Sequence, residues 1–305
     1  MSDSLSANKP KHPVFRLAIG FLMMIAIYAV CSGIVAFLAM RSYISADITG
    51  LIVSIVSAVL MIVAYSSFYK STEHREITEL SNKGLSKTLL PGIGIGFAFM
   101  GAVILTLYVG GAYKVTHVNG LLYAIGGLGV GIVSSVGEEL IFRGILFRIM
   151  EERLGSIAAL TISALIFGLI HLGNPNSSLF MALCIAIEAG LLLGAAYMYS
   201  RNLWLPIGIH FAWNFAESGI FGVADSGTVI GHSMLTSQTT GNKLFTGGSI
   251  GPEGSVPCLI AGVTISLIFL YLAKKNGQFI PAFAKRNTIA PISAYPDQNP
   301  PDFSA

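Results

Sequence analysis

The chain has 305 residues, 53% of them hydrophobic and only 11% charged, with a mean hydropathy of +0.73. Water-soluble domains carry about a quarter charged residues, so a soluble globular fold does not fit. The formal net charge of +3 is small, and the basic residues are placed as topology signals, not as a nucleic-acid surface.

Residues 1–14 are polar and read as a loose cytosolic lead. The first apolar run, 15–39, is too long for a signal-peptide core and lacks a small-residue cleavage site after it, so it is expected to stay as a span. A second run covers 48–68, and "KSTEHREITELSNKGLSK" (70–87) is a charged cytosolic connection. The third and fourth runs, 89–112 and 119–142, contain "PGIGIGF" and "GGLGVG". Gly92 with Gly96, and Gly127 with Gly131, are small-xxx-small pairs that let helices approach closely. Neither has the strand-then-helix setting of a nucleotide loop. Runs at 156–173, 178–199, 203–222 and 256–273 follow, with a Gly/Ser/Thr-rich outer loop at 223–255. Most approach or exceed the ~20 residues that cross a bilayer.

The expected fold is all-α, a polytopic transmembrane helical bundle of about eight spans with no internal repeat. Its parts are an N-terminal lead with three spans (1–118), a membrane core (119–222), an outer loop with the last span (223–275) and a Pro-containing disordered tail (276–305).

With the N-terminus inside, the cytosolic segments hold Lys9, Lys11, Arg16, Lys70, Arg75, Lys83, Lys87, Arg148, Arg153, Arg201, Lys274, Lys275, Lys285 and Arg286, against Arg41, Lys114 and Lys243 outside. That bias places both termini in the cytosol. Cys31, Cys184 and Cys258 show no CxxC spacing, which argues against a disulfide framework and a thiolate metal site.

The polar residues inside the apolar runs carry the chemistry: Glu138, Glu139, Arg143, His171, Glu188, His210, Asn214 and Glu217. Such groups are costly in a membrane and point to function. Glu139 and Arg143 stand at i and i+4 in the favoured ion-pair order. Glu138 points about 100° away and is left free for a cavity. About a turn near Gly155, Glu138 lies 17 residues before and His171 16 after, so an antiparallel hairpin sets them level. His210 and Asn214 share one helix face at a similar depth. A glutamate and a histidine sharing a water make it nucleophilic, and a second histidine with an asparagine amide can donate to an oxyanion. Serine and cysteine nucleophiles fit less well.

"EELIFR" (138–143), "FGLIH" (167–171) and "HFAWN" (210–214) resemble, in order, the EExxxR, FxxxH and HxxxN motifs of the CPBP family, the CaaX-prenyl-protease and bacteriocin-processing intramembrane glutamic endopeptidases. The resemblance covers about a third of the chain. It implies Glu138 as water-activating base with His171 beside it, His210 and Asn214 as oxyanion stabilisers, and Glu139 and Arg143 as the motif's second acid and arginine. Phe167 is expected to wall the cavity, Glu188 to have a structural or gating role, and Glu217 either to tune His210 or to sit on the outer rim.

The expected partners are a peptide or protein substrate, lipidated or not, and the bilayer, with no nucleic acid. No cofactor is expected. Glu138, His171 and His210 would also serve as a zinc set, but HExxH is missing and the adjacent arginine repels a cation. The expected location is a bacterial inner membrane, with the site opening to the cytosolic side. The alternatives are a proton-coupled transporter, which often shows repeated halves, and a non-catalytic immunity or scaffold protein.

Overall fold

A computed structural model describes residues 12–39, 46–83, 85–229 and 231–282. It is a bundle of long helices. α1 (Pro13–Ala39), α2 (Ala46–Glu73) and α3 (Leu85–Val109) come first. α4 (Ile125–Glu139) runs through a π-helical stretch, Leu140–Phe147, into α5 (Arg148–Ile170). α6 (Leu179–Ile185) leads through another π stretch, Ala186–Gly190, into α7 (Leu191–Ser200). α8 (Trp204–Asn214) continues as a third, Phe215–Phe221. The short α9 (Lys243–Thr246) and then α10 (Val256–Lys275) complete the series.

Among the described residues, six stretches are long and apolar enough to cross a membrane. One of them, Leu121–Gly173, is 53 residues long and reverses at Gly155. At φ +77 that residue takes a left-handed conformation open to glycine, and a Cβ there would meet Ala282 N at 2.6 Å. Residues 156–173 therefore form the separate pass expected. The helix from Trp204 to Phe221 is not among the six, which accounts for the rest of the difference from eight.

The caps follow from sequence. Ser178 Oγ accepts from Met181 N at the start of α6, and Ser255 Oγ from Cys258 N at the start of α10, whose last turn carries Lys274 and Lys275. The glycine pairs do what their spacing suggests. Cβ atoms on Gly92 and Gly96 would reach 2.5 Å from Leu205 O and 2.3 Å from Ile209 O, so α3 lies directly against α8. Gly127 packs on Gly219 in the same manner. α8 is thus held at backbone contact by two helices.

The two ends of the bundle differ. At one end lie the start of α1, residues 70–88, the Gly155 turn and the α7–α8 turn. There Arg16 pairs with Glu73 and Glu152, both at 2.6 Å, Arg148 with Glu73 at 2.9 Å, Arg75 with Glu79 at 2.6 Å and Arg201 with Glu151 at 2.6 Å. Sequence reading sends Arg148 out into the cytosol, but it is buried in this lattice, as is Glu79 of the 70–87 connection. Burial would raise the Glu79 carboxyl; the hydrogen-bonded Arg75, with Arg148, overrides this and holds it at about 2.

The expected disordered tail is docked at its start: Ile280 N donates to Ser156 Oγ, and Ile280 O accepts from Ser156 N. Residues 283–305, like 1–11 of the lead, lie outside the described residues. At the opposite end, β1 (Tyr113–Val118) pairs antiparallel with β2 (Leu235–Thr239), an unanticipated two-stranded sheet that ties the outer loop to the end of α3.

Candidate active site

A cavity of about 330 Å³ opens among α4, α5, the 186–190 stretch and α8. Its walls bring together Glu138, Phe167, His171, His210 and Asn214, the residues drawn from all three motifs. Among further lining residues are Ser134, Asn174, Asp225, Ser226 and Glu253.

Glu138 follows the free-side geometry expected of it. Its side chain is 31% exposed, Oε2 has no hydrogen-bond partner, and that oxygen lies 3.9 Å from His210 Nε2. Glu139 takes the opposite role. It is fully buried, and its Oε1 accepts from Arg143 Nη1 at 2.7 Å. Arg143 also donates to Gly190 O at 3.0 Å and lies 4.8 Å over the Phe167 ring. The π-helical turn carrying Arg143 begins immediately after Glu139, and such turns cluster at functional sites.

The same Glu139 oxygen receives His210 Nδ1 at 3.0 Å. A carboxylate only accepts, so Nδ1 carries a hydrogen and Nε2 is the nitrogen turned toward Glu138. Glu139 therefore orients the histidine as well as clamping the arginine. Sequence reading offered Glu217 two places, tuning His210 or on the outer rim. Glu217 is instead fully buried, with Oε2 accepting from Trp213 Nε1 at 3.1 Å. It sits neither on the outer rim nor against His210.

His171 Nδ1 lies 2.7 Å from Phe167 O, which also only accepts. The hydrogen is again on Nδ1, leaving Nε2 as a proton acceptor. Phe167 is buried as a wall, with His171 at 4.9 Å between ring centres and His210 at 6.2 Å. Asn214 Nδ2 donates to Ser134 Oγ at 3.0 Å, a partner the motif reading overlooked. Glu188 is fully buried in its π stretch with neither oxygen hydrogen-bonded, the Cys258 thiol being its polar neighbour.

Three acids form a second group. Oxygens of Glu217, Asp225 and Glu253 lie within 4.8 Å of one another, all buried. Burial pushes the Asp225 carboxyl well up, and the Glu253 charge adds to this; burial also raises Glu253, partly offset by its bond from Ser226. Sequence reading missed Asp225 and Glu253. The only available signal was the acid in "GPEGS", in a loop otherwise made of small residues.

An inward-facing mouth was expected because the site residues count closer to the basic end. His171 departs from that count: α5 ends at Ile170, so the histidine closes its helix. The basic lattice contributes no lining residue. Asn174, Asp225, Ser226 and Glu253 come from connections at the end of the bundle that carries the β1–β2 sheet.

Fold and site together describe a polytopic helical membrane protein with a buried Glu/His/Asn cavity. Residues 119–216 match the model of the family described as type II CAAX prenyl endopeptidase Rce1-like, which bears out the resemblance over the third of the chain that holds the three motifs. The chain is also 31% identical over 83 residues to "Putative membrane peptidase YdiL" of Bacillus subtilis (strain 168). That similarity spans 27% of this chain and about a third, 32%, of the relative's length.

Proposed function

We propose that this chain is an intramembrane endopeptidase that hydrolyses a peptide bond with an activated water. The observation that carries the reading is the convergence of Glu138, His171, His210 and Asn214 on one cavity, with Glu138 Oε2 making no hydrogen bond and each histidine fixed through Nδ1. Membrane protease activity is also what the Rce1-like match suggests.

In this reading a water sits between Glu138 and His171 Nε2. Glu138 takes its proton as the hydroxide attacks the scissile carbonyl carbon, and a partly desolvated carboxylate is suited to that exchange. The carbonyl oxygen becomes an oxyanion that receives hydrogen bonds from Asn214 Nδ2 and from a protonated His210 Nε2. Collapse expels the amine, which takes the proton from Glu138. Glu139 and Arg143 touch no substrate: they hold His210 and the wall at Phe167.

We read entry as coming from the β-sheet end, whose loops line the cavity, and not through the ionic lattice. Both histidines keep Nε2 free, as a zinc ligand would; it is the charge of Arg143, on the turn after Glu138, that disfavours a cation on Glu138, His171 and His210. The substrate is a peptide or protein segment reaching the membrane, and lipidation is left to experiment.

The test is peptide cleavage by purified protein in detergent, wild type beside Glu138→Gln. Hydrolysis lost in a well-folded variant supports the reading. Equal turnover by both would sink the assignment of Glu138 as the base, and no turnover together with a proton-gradient-driven change in cavity accessibility would favour the transporter alternative.

A further inference from the structure

We propose that Glu217, Asp225 and Glu253 bind one hard divalent cation, of the calcium, magnesium or manganese class, and that this ion fastens the loops at the β-sheet end to the helix carrying His210. Elsewhere among the described residues four buried carboxylates are answered by arginine, Glu73 by Arg16 and Arg148, Glu79 by Arg75, Glu139 by Arg143 and Glu151 by Arg201, while the isolated Glu188 is not. No basic side chain among the described residues is ion-paired to Glu217, Asp225 or Glu253. Three converging buried acids whose nearest basic groups are the catalytic histidines His171 and His210, acting on Glu253 alone, are strongly unfavourable unless an ion or protons neutralise them.

The geometry favours an ion. The three oxygens converge within 4.8 Å, close enough to surround one cation at the usual ~2.0–2.6 Å metal–oxygen distances. Glu217 spends Oε2 on Trp213 and leaves Oε1 buried without a partner. An all-oxygen set selects hard cations over zinc or copper.

The placement gives the ion a structural task. Glu217 lies in the helical extension of α8, Asp225 just beyond that extension, and Glu253 immediately before α10. Asp225 and Glu253 also face the cavity. A bound ion joins the two loop segments to the helix and fixes that wall.

The experiment uses the full chain in detergent, stripped with EDTA, then titrated separately with calcium, magnesium and manganese. Bound metal is counted by mass spectrometry after equilibrium dialysis, and the melting temperature is followed in parallel. The expected result is about one ion per chain and a rise of roughly 5–10 °C at a hundredfold excess over Kd. Asp225→Asn and Glu253→Gln should weaken binding at least tenfold, while Glu138→Gln binds like wild type, so the outcome is independent of hydrolysis. No bound ion at millimolar concentrations overturns the proposal, even if the loop variants fail to fold. So does a melting temperature unaffected by cations that rises as pH falls, which would mean that protons neutralise the acids. Binding lost on His171→Ala but kept in Asp225→Asn would place the ion in the catalytic cavity and equally refute the assignment.

Discussion

Replacing Glu139 with glutamine removes one negative charge from a fully buried position and leaves Arg143, 1% exposed, without its counter-ion. Breaking a buried pair by removing one partner costs about 3–5 kcal/mol. Two features argue for the lower end. The amide oxygen can still accept one hydrogen bond, and Arg143 keeps its bonds to Ala189 O and Gly190 O. His210 Nδ1 then competes with Arg143 for that oxygen, which prevents a smaller loss. A cost of about 3 kcal/mol corresponds to a melting temperature lower by roughly 6–12 °C at this chain length.

The assay is thermal unfolding of detergent-purified wild type, Glu139→Gln, Glu138→Gln and Glu139→Gln with Arg143→Met. Glu138 has no hydrogen-bond partner at Oε2 and is partly exposed, so its variant should melt within about 2 °C of wild type, on the ~0.5 kcal/mol scale of changes away from buried networks. The double variant should recover part of the loss, because it no longer buries an unpaired charge. A Glu139→Gln chain that melts with wild type, or a Glu138→Gln chain that loses more than it, would refute the division of labour between the adjacent glutamates.

The pH dependence of stability should show the ionic end of the bundle. Glu79 is held near 2 against an ordinary value of 4.5, so it stabilises the fold fully above about pH 4.5 and loses that contribution, of about 3 kcal/mol, as pH falls toward 2. Glu79→Gln should be less stable at pH 7 and flatter over that window; an unchanged slope would show that the pairing with Arg75 is not formed. Gly96→Leu should abolish monodisperse protein, since its Cβ would meet Ile209 O at 2.3 Å between two helix backbones, an overpacking cost of at least ~1–3 kcal/mol; normal yield would mean that α3 and α8 do not touch there. A cysteine at Thr228, on the cavity wall, in a background lacking the three native cysteines, should react with a membrane-impermeant thiol reagent only from the face opposite Arg16 and Arg148. Labelling from the basic face would restore the cytosolic opening expected from sequence.

What was legible in the sequence was what local spacing encodes. Apolar runs locate the long helices because the ~30 Å hydrocarbon core fixes their length. The Glu139–Arg143 pair was readable because i and i+4 residues meet on any helix. Gly92 and Gly96 announced close packing, though not that α8 was the partner. Contacts distant along the chain left no such trace. Nothing in 70–87 signals that Glu73 and Glu79 close a lattice with Arg16 and Arg148, and charges in a connection read as solvated. His210 meets Glu139 across 71 positions, so a tuning acid was sought on its own helix, at Glu217. The acid trio is divided between a helix extension and two loops, and only folding assembles it. "YKVTHV" follows directly on a helical apolar run, which concealed its strand.

The central claim is that Glu138 activates the water that cuts a peptide bond. Wild-type and Glu138→Gln chains, matched for melting temperature, should be incubated with membrane-derived peptides in heavy-oxygen water, and the products read by mass spectrometry. The account predicts new carboxyl termini carrying one heavy oxygen with wild type, and a rate at least roughly a hundredfold lower with the variant. Heavy-oxygen termini formed equally fast by both proteins would contradict it.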